Sequence, residues 1–571
     1  YTLNRNSQRY MRPGSVVPGF EIENLGMVYN KFASFFSKEN NFVVGIHGDY
    51  AHMFGAHSLA AKVGFRFNSF SYDYDYPTTE FNSVQDNKVV NHNRDQYFTM
   101  RGLSDQWKQI QWYGMLSYNY KQRYFVELAL LGEANSRFGE NADALSMFGV
   151  QWGLFPSAQA AWVITNEKWF PKNSGVDYLR LNVGYDMSGN DDISNNAART
   201  VYTTVKYNNT AIGVQLTNIG NDKIKWETTH KFNVGLQGYF LNNRLGVAFD
   251  YFYSKTTDLL TRKTFSEPIS GINWYWTNGG ELQNTGYEAT VSFKPVVTKD
   301  WNVEIGASAG HYKNEVLSLP DGDYTSSIYG DNNIITSVGN PVAMFYGYKT
   351  EGVFATDAEA KAAGDGTYLY IEDNTGARKN FTAGDVHFVD LNNDGKISEE
   401  DRTIIGDPNP DIYGNIFANV TWKDFTLSLN FNYSLGNDVY NYQRMVLNSG
   451  SNFYNQQVAV TNHWRYEGQV TDMPKLAYND PMGNNRFSDR WIEDGSYLRL
   501  KTLRLTYRIP LHLSWLQGLS VWAEAVNLFT ITKYLGSDPE FSVNNGVMYQ
   551  GIDAGNLAQS RAFTFGLRIN L

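Results

Sequence analysis

Residues 412–433 hold two runs of alternating apolar and polar side chains with almost nothing between them. Ile412, Gly414, Ile416, Ala418, Val420 and Trp422 fall on one face of an extended chain, and Phe425, Leu427, Leu429, Phe431 and Tyr433 repeat the pattern; Thr426, Ser428, Asn430 and Asn432 fill the opposite face of the second run. Successive side chains of a strand point to opposite sides, so a period of two predicts a strand with one greasy face and one polar face. Only about Lys423-Asp424 is left to reverse the chain. The two runs therefore predict an antiparallel hairpin.

The same grammar recurs. Leu245, Val247, Phe249, Tyr251 and Tyr253 follow a tight turn at Asn242-Asn243. Trp112, Leu116, Tyr118 and Tyr120 turn at Lys121 to Arg123 into Tyr124, Val126, Leu128 and Leu130. Trp301 to Ala309 and Leu503 to Ile509 alternate likewise. About sixteen such segments are present, near the roughly 9–11 residues that a tilted membrane strand needs.

Alternation alone fits two all-β architectures. A soluble sandwich buries its apolar face under a second sheet. A transmembrane antiparallel β-barrel turns that face to lipid and lines a wet lumen with residues such as Arg504, Arg508 and Arg568. Loop lengths favour the barrel. Short turns at Asn242-Asn243, 295–300, Lys423-Asp424 and 511–518 alternate with long connections at about 257–283, 315–410, 436–496 and 532–559. Short periplasmic turns opposite long extracellular loops are the outer-membrane pattern. The last run, Phe563, Phe565, Leu567, Ile569 and Leu571, resembles the terminal strand that barrel-assembly machinery reads, although a final Phe is commoner than Leu571.

Composition agrees and narrows the function. Aromatic residues make up 15% of the 571 residues, and there is no Cys, which removes disulfides, thiolate metal sites and a cysteine nucleophile. A net charge of −10 argues against a nucleic-acid partner. No apolar run reaches the about 18 residues of a transmembrane helix. The mean hydropathy of −0.44 is compatible with a membrane barrel, whose lumen residues dilute the signal.

Several segments resemble the SusC/RagA-like family of TonB-dependent outer-membrane transporters. They are Ser136-Arg137-Phe138 with Phe155-Pro156-Ser157; Lys225-Trp226-Glu227-Thr228-Thr229; Asn242-Asn243-Arg244-Leu245 with Asp250-Tyr251; Asn284-Thr285-Gly286-Tyr287-Glu288; and Asn527 to Tyr534 with Gly536 and Asp538-Pro539-Glu540. One family stretch departs, reading Gly132-Glu133-Ala134-Asn135. The resemblance implies a barrel of about 22 strands, preceded by a plug and a TonB box, in the outer membrane of a Gram-negative, Bacteroidota-like bacterium. It implies import of oligosaccharides or peptides with a SusD-like surface lipoprotein, TonB engaged through the N-terminal part, and outer-membrane lipid around the wall. No plug, box or secretory leader is found here, and the count falls about six strands short of that number, so the chain is expected to start inside a longer precursor. Sixteen strands alone would leave two unpaired edges in lipid, which the bilayer forbids. The alternatives are a passive porin and a structural, transporter-like subunit of a larger outer-membrane complex.

Few residues carry chemistry. Asp390, Asn392, Asp394, Gly395, Lys396, Ser398 and Asp401 match the opening and spacing of a calcium loop, with oxygen ligands at alternate positions and Gly at the sharp turn. A structural Ca²⁺ ion is expected there; the competing reading is an Asx-rich turn without metal. Thr356 and Glu359 predict a capped helix upstream, ended by Gly364. Trp274, Tyr275 and Trp276 form a candidate ligand platform. Gly306-Ala307-Ser308-Ala309-Gly310 matches a hydrolase elbow, but its Ser lies inside an alternating strand. His47, His52 and His57 share no helix or strand face. No catalytic set survives, so an enzyme is not expected.

Overall fold

The computed structural model describes residues 2–570 apart from 13–14, 17–26, 29, 82–95, 173, 208–210, 270, 331, 365, 374, 512–515, 517, 541 and 545. Leu571 and most of the expected 511–518 turn therefore lie outside the described residues. Among those residues one antiparallel sheet has 17 strands. One of them is the three-residue Leu145–Met147; the remaining sixteen equal the approximate count expected from the alternation. No described helix is long and apolar enough to cross a membrane. The chain divides into two compact units, 1–160 with 184–230 and 256–279, and 161–183 with 231–255 and 280–571.

In the first unit three strands, Asn30–Phe54, His57–Phe81 and Gln96–Tyr120, each run for 25 residues. At roughly 3.3 Å per residue each is far longer than a bilayer crossing requires. The surplus length accommodates the Tyr-rich run Phe70 to Tyr76, which pairs in full register with 101–107. Gly55 at φ +61° turns the first hairpin, and Lys121 and Gln122, both with positive φ, turn the next into Tyr124–Asn135.

The second unit carries Glu281–Val297, Trp301–Ser318, Ile412–Trp422, Phe425–Leu435, Tyr497–Ile509, Gly518–Thr532 and Ala562–Asn570, each antiparallel to the next. Lys423, at φ +51°, gives the two-residue turn read from the sequence. Register makes the two faces continuous. Phe293, Ile305, Ala418, Leu429, Leu503, Ala525 and Phe563 stand opposite one another in a single apolar row across all seven strands. One residue along, Glu304, Asn419, Ser428, Arg504, Glu524 and Thr564 make a polar row. A one-residue slip of any strand would exchange the rows, so the pattern fixes the pairing.

Apolar residues on this sheet are unusually open: Phe563, Phe565, Leu567 and Ile569 are 65, 81, 60 and 53% exposed. A soluble sheet would bury that face; a lipid-facing one leaves it bare of protein. Gly306 and Gly310 make room for rings on the adjacent strand, since a Cβ there would lie 2.4 Å from the Phe417 ring and 2.7 Å from the Tyr413 ring. Ser308 between them donates to Asn415 Oδ1 at 2.6 Å. The G-x-S-x-G match is therefore an ordinary strand and not a nucleophile elbow.

Leu429→Arg is expected to cost about 2–4 kcal/mol where that side chain meets the bilayer midplane. Ser428→Glu, opposite Arg504 on the polar row, is expected to assemble normally. Urea titration of the refolded protein in lipid vesicles reads both, and equal destabilisation would overturn the assignment of the two faces.

Candidate functional site

Motifs scattered along the sequence meet in the first unit. Phe138, Phe155 and Trp226 pack with Ile193, Ala197 and Ile224 in one buried cluster. The Trp226 indole N–H donates to Glu133 Oε1 at 3.2 Å, and Gln111 donates to the other oxygen at 2.9 Å. Asn135 donates to Asp191 at 2.6 Å, and Arg137 reaches Asn195 and the Asp191 carbonyl. Burial, and then the charge of Glu133, push the Asp191 carboxyl above its ordinary range. The departing stretch Gly132-Glu133-Ala134-Asn135 thus supplies the acceptor that holds Trp226.

The platform Trp274-Tyr275-Trp276 lies on Ile272–Asn278, paired with Leu260–Ile269. Trp274 and Trp276 share a face, edge to face at 5.9 Å. The Arg262 guanidinium sits over both, 4.2 Å and 5.2 Å from their centroids. Trp276 also leans on the buried cluster. Both indoles are thereby engaged by the protein itself, and Tyr275 points to the other side of the ribbon.

In the second unit the long connections fold about cores of their own. Tyr348, Phe354, Leu369, Phe381, Val386, Phe388 and Ile397 form one buried cluster. Phe345, Tyr440, Phe487, Trp491 and Ile552 belong to another. The fully buried Asp385 ties the connections together, accepting from Lys475 at 2.8 Å and Asn484 at 3.0 Å. The expected helix forms over Asp357–Ala362, with Thr356 accepting from the Glu359 N–H at 3.2 Å. The Glu359 carboxylate reaches one residue further back than a capping box requires, accepting from the Ala355 N–H.

The calcium-like loop closes on its own hydrogen bonds. Asp390 accepts from the N–H groups of Asp394 and Gly395, Asn392 from Asp394, and Asp394 from Lys396. Asp401 is fully buried, with one oxygen on the Leu391 N–H at 2.9 Å and the other on the Ser398 N–H at 2.7 Å. It caps the short helix Glu399–Asp401 together with Ser398. The Lys396 ammonium binds Glu372 at 2.6 Å. Asn393 and Gly395 both take positive φ, as the tight turn demands. Among the described residues no group of three or more His, Cys, Asp or Glu is gathered to hold a metal ion. The histidines do not converge either: His47 lies 3.2 Å from Asp49, and His57 bonds Tyr118 at 2.7 Å.

The segment Asn527 to Glu540 has a clear structural task. Asn527, at φ +53°, forms a bulge in Gly518–Thr532 where the register with Leu500 and Thr502 shifts. Beyond the strand, buried Asp538 pairs with buried Arg499 and accepts from the N–H groups of Glu540 and Gln559, both at 2.9 Å. Burial works to raise the Asp538 pKa, but Arg499 and the two N–H donors outweigh it and hold the carboxyl below the ordinary range. Its stabilisation is therefore complete above the unfolded-state value of about 3.9 and is lost as pH falls through the folded-state value.

Asp538→Ala, which leaves buried Arg499 with Glu540 at 2.9 Å as its remaining carboxylate, is expected to cost about 1.5–3 kcal/mol. Limited proteolysis of 533–561 is expected to show protection at pH 7, opening below about pH 4, and opening already at pH 7 in Arg499→Gln. Identical cleavage of wild type and Arg499→Gln across this range would remove the pair from the account.

The wall and loops so described match known proteins over most of their length. The family described as "TonB dependent receptor-like, beta-barrel" matches residues 1–528. TonB-dependent receptor P3 of Formosa agariphila is 30% identical over 474 residues, 80% of this chain and 45% of that protein. TonB-dependent receptor SusC of Bacteroides thetaiotaomicron is 26% identical, over 81% of this chain and 43% of that protein. The RagAB peptide transporter structure superposes with a TM-score of 0.75 at 21% identity, covering 99% of this chain and 58% of that one. The chain spans about half the length of the curated relatives it matches. The chain belongs to the TonB-dependent receptor-like β-barrel family of the bacterial outer membrane, a family of transporters and not of enzymes.

Proposed function

We propose that this chain is the wall and extracellular loop system of an energy-coupled importer of the SusC/RagA type. The observation that carries the proposal is the family match over residues 1–528. The sheet supports it, with an open apolar face and a continuous polar one, as an aqueous path through lipid requires. The imported ligand is an oligosaccharide or a peptide, taken up with a SusD-like surface lipoprotein and with TonB acting from the periplasm. The relative named SusC and the solved peptide transporter suggest this class.

In this reading Asn242-Asn243 and Lys423-Asp424 face the periplasm, and 319–411 faces outward. A cysteine at Ser326 is expected to label on intact cells, whereas one at Asn243 is not. Deleting the gene, or removing TonB, is expected to abolish uptake of labelled oligosaccharide or peptide pools. Uptake that survives loss of TonB identifies a passive pore. Uptake that survives loss of the gene identifies a structural subunit.

A calcium ion in 390–401 is a separate proposal, supported by the ligand spacing of Asp390, Asn392, Asp394, Ser398 and Asp401. The backbone bonds that already occupy both Asp401 oxygens leave a modest site, near the roughly 10⁻⁴–10⁻³ M of extracellular modules. Calcium is expected to slow proteolysis of the loop in wild type and not in Asp390→Ala. The same cleavage with calcium and with chelator makes the loop a metal-free turn.

A further inference from the structure

The outer connections of the second unit enclose a cavity of about 470 Å³ beside Trp491. Two guanidinium groups lie on this one indole, Arg444 at 5.2 Å and Arg490 at 5.0 Å from the ring centroid. They are not equivalent. Arg444 is neutralised by Glu493, whose two oxygens are also held by Asn441 and by the Leu535 N–H. Arg490 bonds only carbonyl oxygens, those of Asn484 at 3.1 Å and Asp472 at 2.9 Å. Among the described residues no carboxylate lies within 4 Å of it. Burial, and then the neighbouring Arg444, lower its pKa to about 10, against the more distant carboxylates of Asp472, Asp480 and Asp489, of which Asp472 also lines the cavity.

A second observation lies in the same wall. Asn448 is 6% exposed, lines the cavity, and its buried Oδ1 has no hydrogen-bond partner. A buried acceptor left unpaired costs about 1–3 kcal/mol, and a ligand donor would remove that cost. Gln443 and Gln457 complete the rim as exposed amides.

We propose that this cavity is a subsite for an anionic sugar unit. The acidic substituent, a carboxylate or a sulfate, meets Arg490, whose direct hydrogen bonds go to carbonyl oxygens and not to a carboxylate. The hydroxyl groups meet Asn448 and the rim amides, which can donate and accept at once. The volume lies within the range of small-molecule sites. Because Trp491 is only 1% exposed, the sugar is held by its charge and edges and not by ring stacking. An acidic peptide would satisfy Arg490 but offers fewer hydroxyl partners for three amides. The proposal rests on the import reading and narrows its substrate class to anionic glycans.

The test is calorimetric or saturation-transfer binding of D-glucuronate, glucose 6-sulfate, D-glucose and the dipeptide Glu-Glu to the purified full-length protein. Glucuronate or glucose 6-sulfate is expected to bind at least about tenfold tighter than glucose and Glu-Glu. The two acidic sugars identify which substituent is preferred. Arg490→Gln is expected to erase that margin, and Arg490→Lys to restore part of it. Asn448→Asp, which adds a carboxylate to a lining that already includes Asp472, is expected to abolish binding of both anions. Heat-modifiable gel mobility confirms assembly of each variant. Equal binding of glucose and glucuronate, preference for Glu-Glu, or an unchanged margin in Arg490→Gln overturns the proposal. Binding without uptake by cells would sink the import reading and leave the subsite standing.

Discussion

Every other property of this protein depends on the antiparallel ladder. In hydrocarbon a backbone N–H or C=O has no water to fall back on, so strands are admissible only when their neighbours satisfy them. The ladder meets that demand through uninterrupted register, such as the 25-residue match between His57–Phe81 and Gln96–Tyr120. Side chains are then free to differ on the two faces. The apolar row through Leu429 and the polar row through Ser428 follow from that freedom.

Outside the ladder a different physics takes over. The connections 319–411 and 436–496 meet water, so they must bury cores of their own. They do so around Phe381 and Phe388 in one place and Tyr440 and Trp491 in another. Ion pairs and hydrogen bonds then lock segments far apart in sequence, as between Asp385 and Lys475 and between Thr350 and Asp489. These loops are small folded bodies and not strings, and a fixed cavity beside Trp491 is possible for that reason.

The sequence reveals what is local and hides what is not. The turn at Lys423-Asp424, the limits of 436–496 and the two faces of Phe425–Leu435 all follow from period and turn length. The helix after Thr356 follows from its cap. Arg262 covering Trp274 and Trp276 depends on the pairing of two short strands, and the spacing of the aromatics says nothing about it. The calcium-like spacing specifies where oxygens lie along the chain; it does not say that Asp401 turns toward backbone N–H groups. Arg490 and Asn448 carry no motif. Their interest arises from what the fold fails to place beside them.

Glycines on the polar face of the ladder admit rings from the next strand. Gly306 beneath Phe417, Gly64 beneath Tyr113 and Gly566 beneath Trp522 all lie on the polar face. In each case a bulky plate folds down into the hollow left by the absent side chain. Each ring thereby lies low against its own pair of strands. Adding a methyl group at such a glycine would lift the ring away from the wall. The relief of the polar face would change there while the backbone pairing beneath it stayed intact.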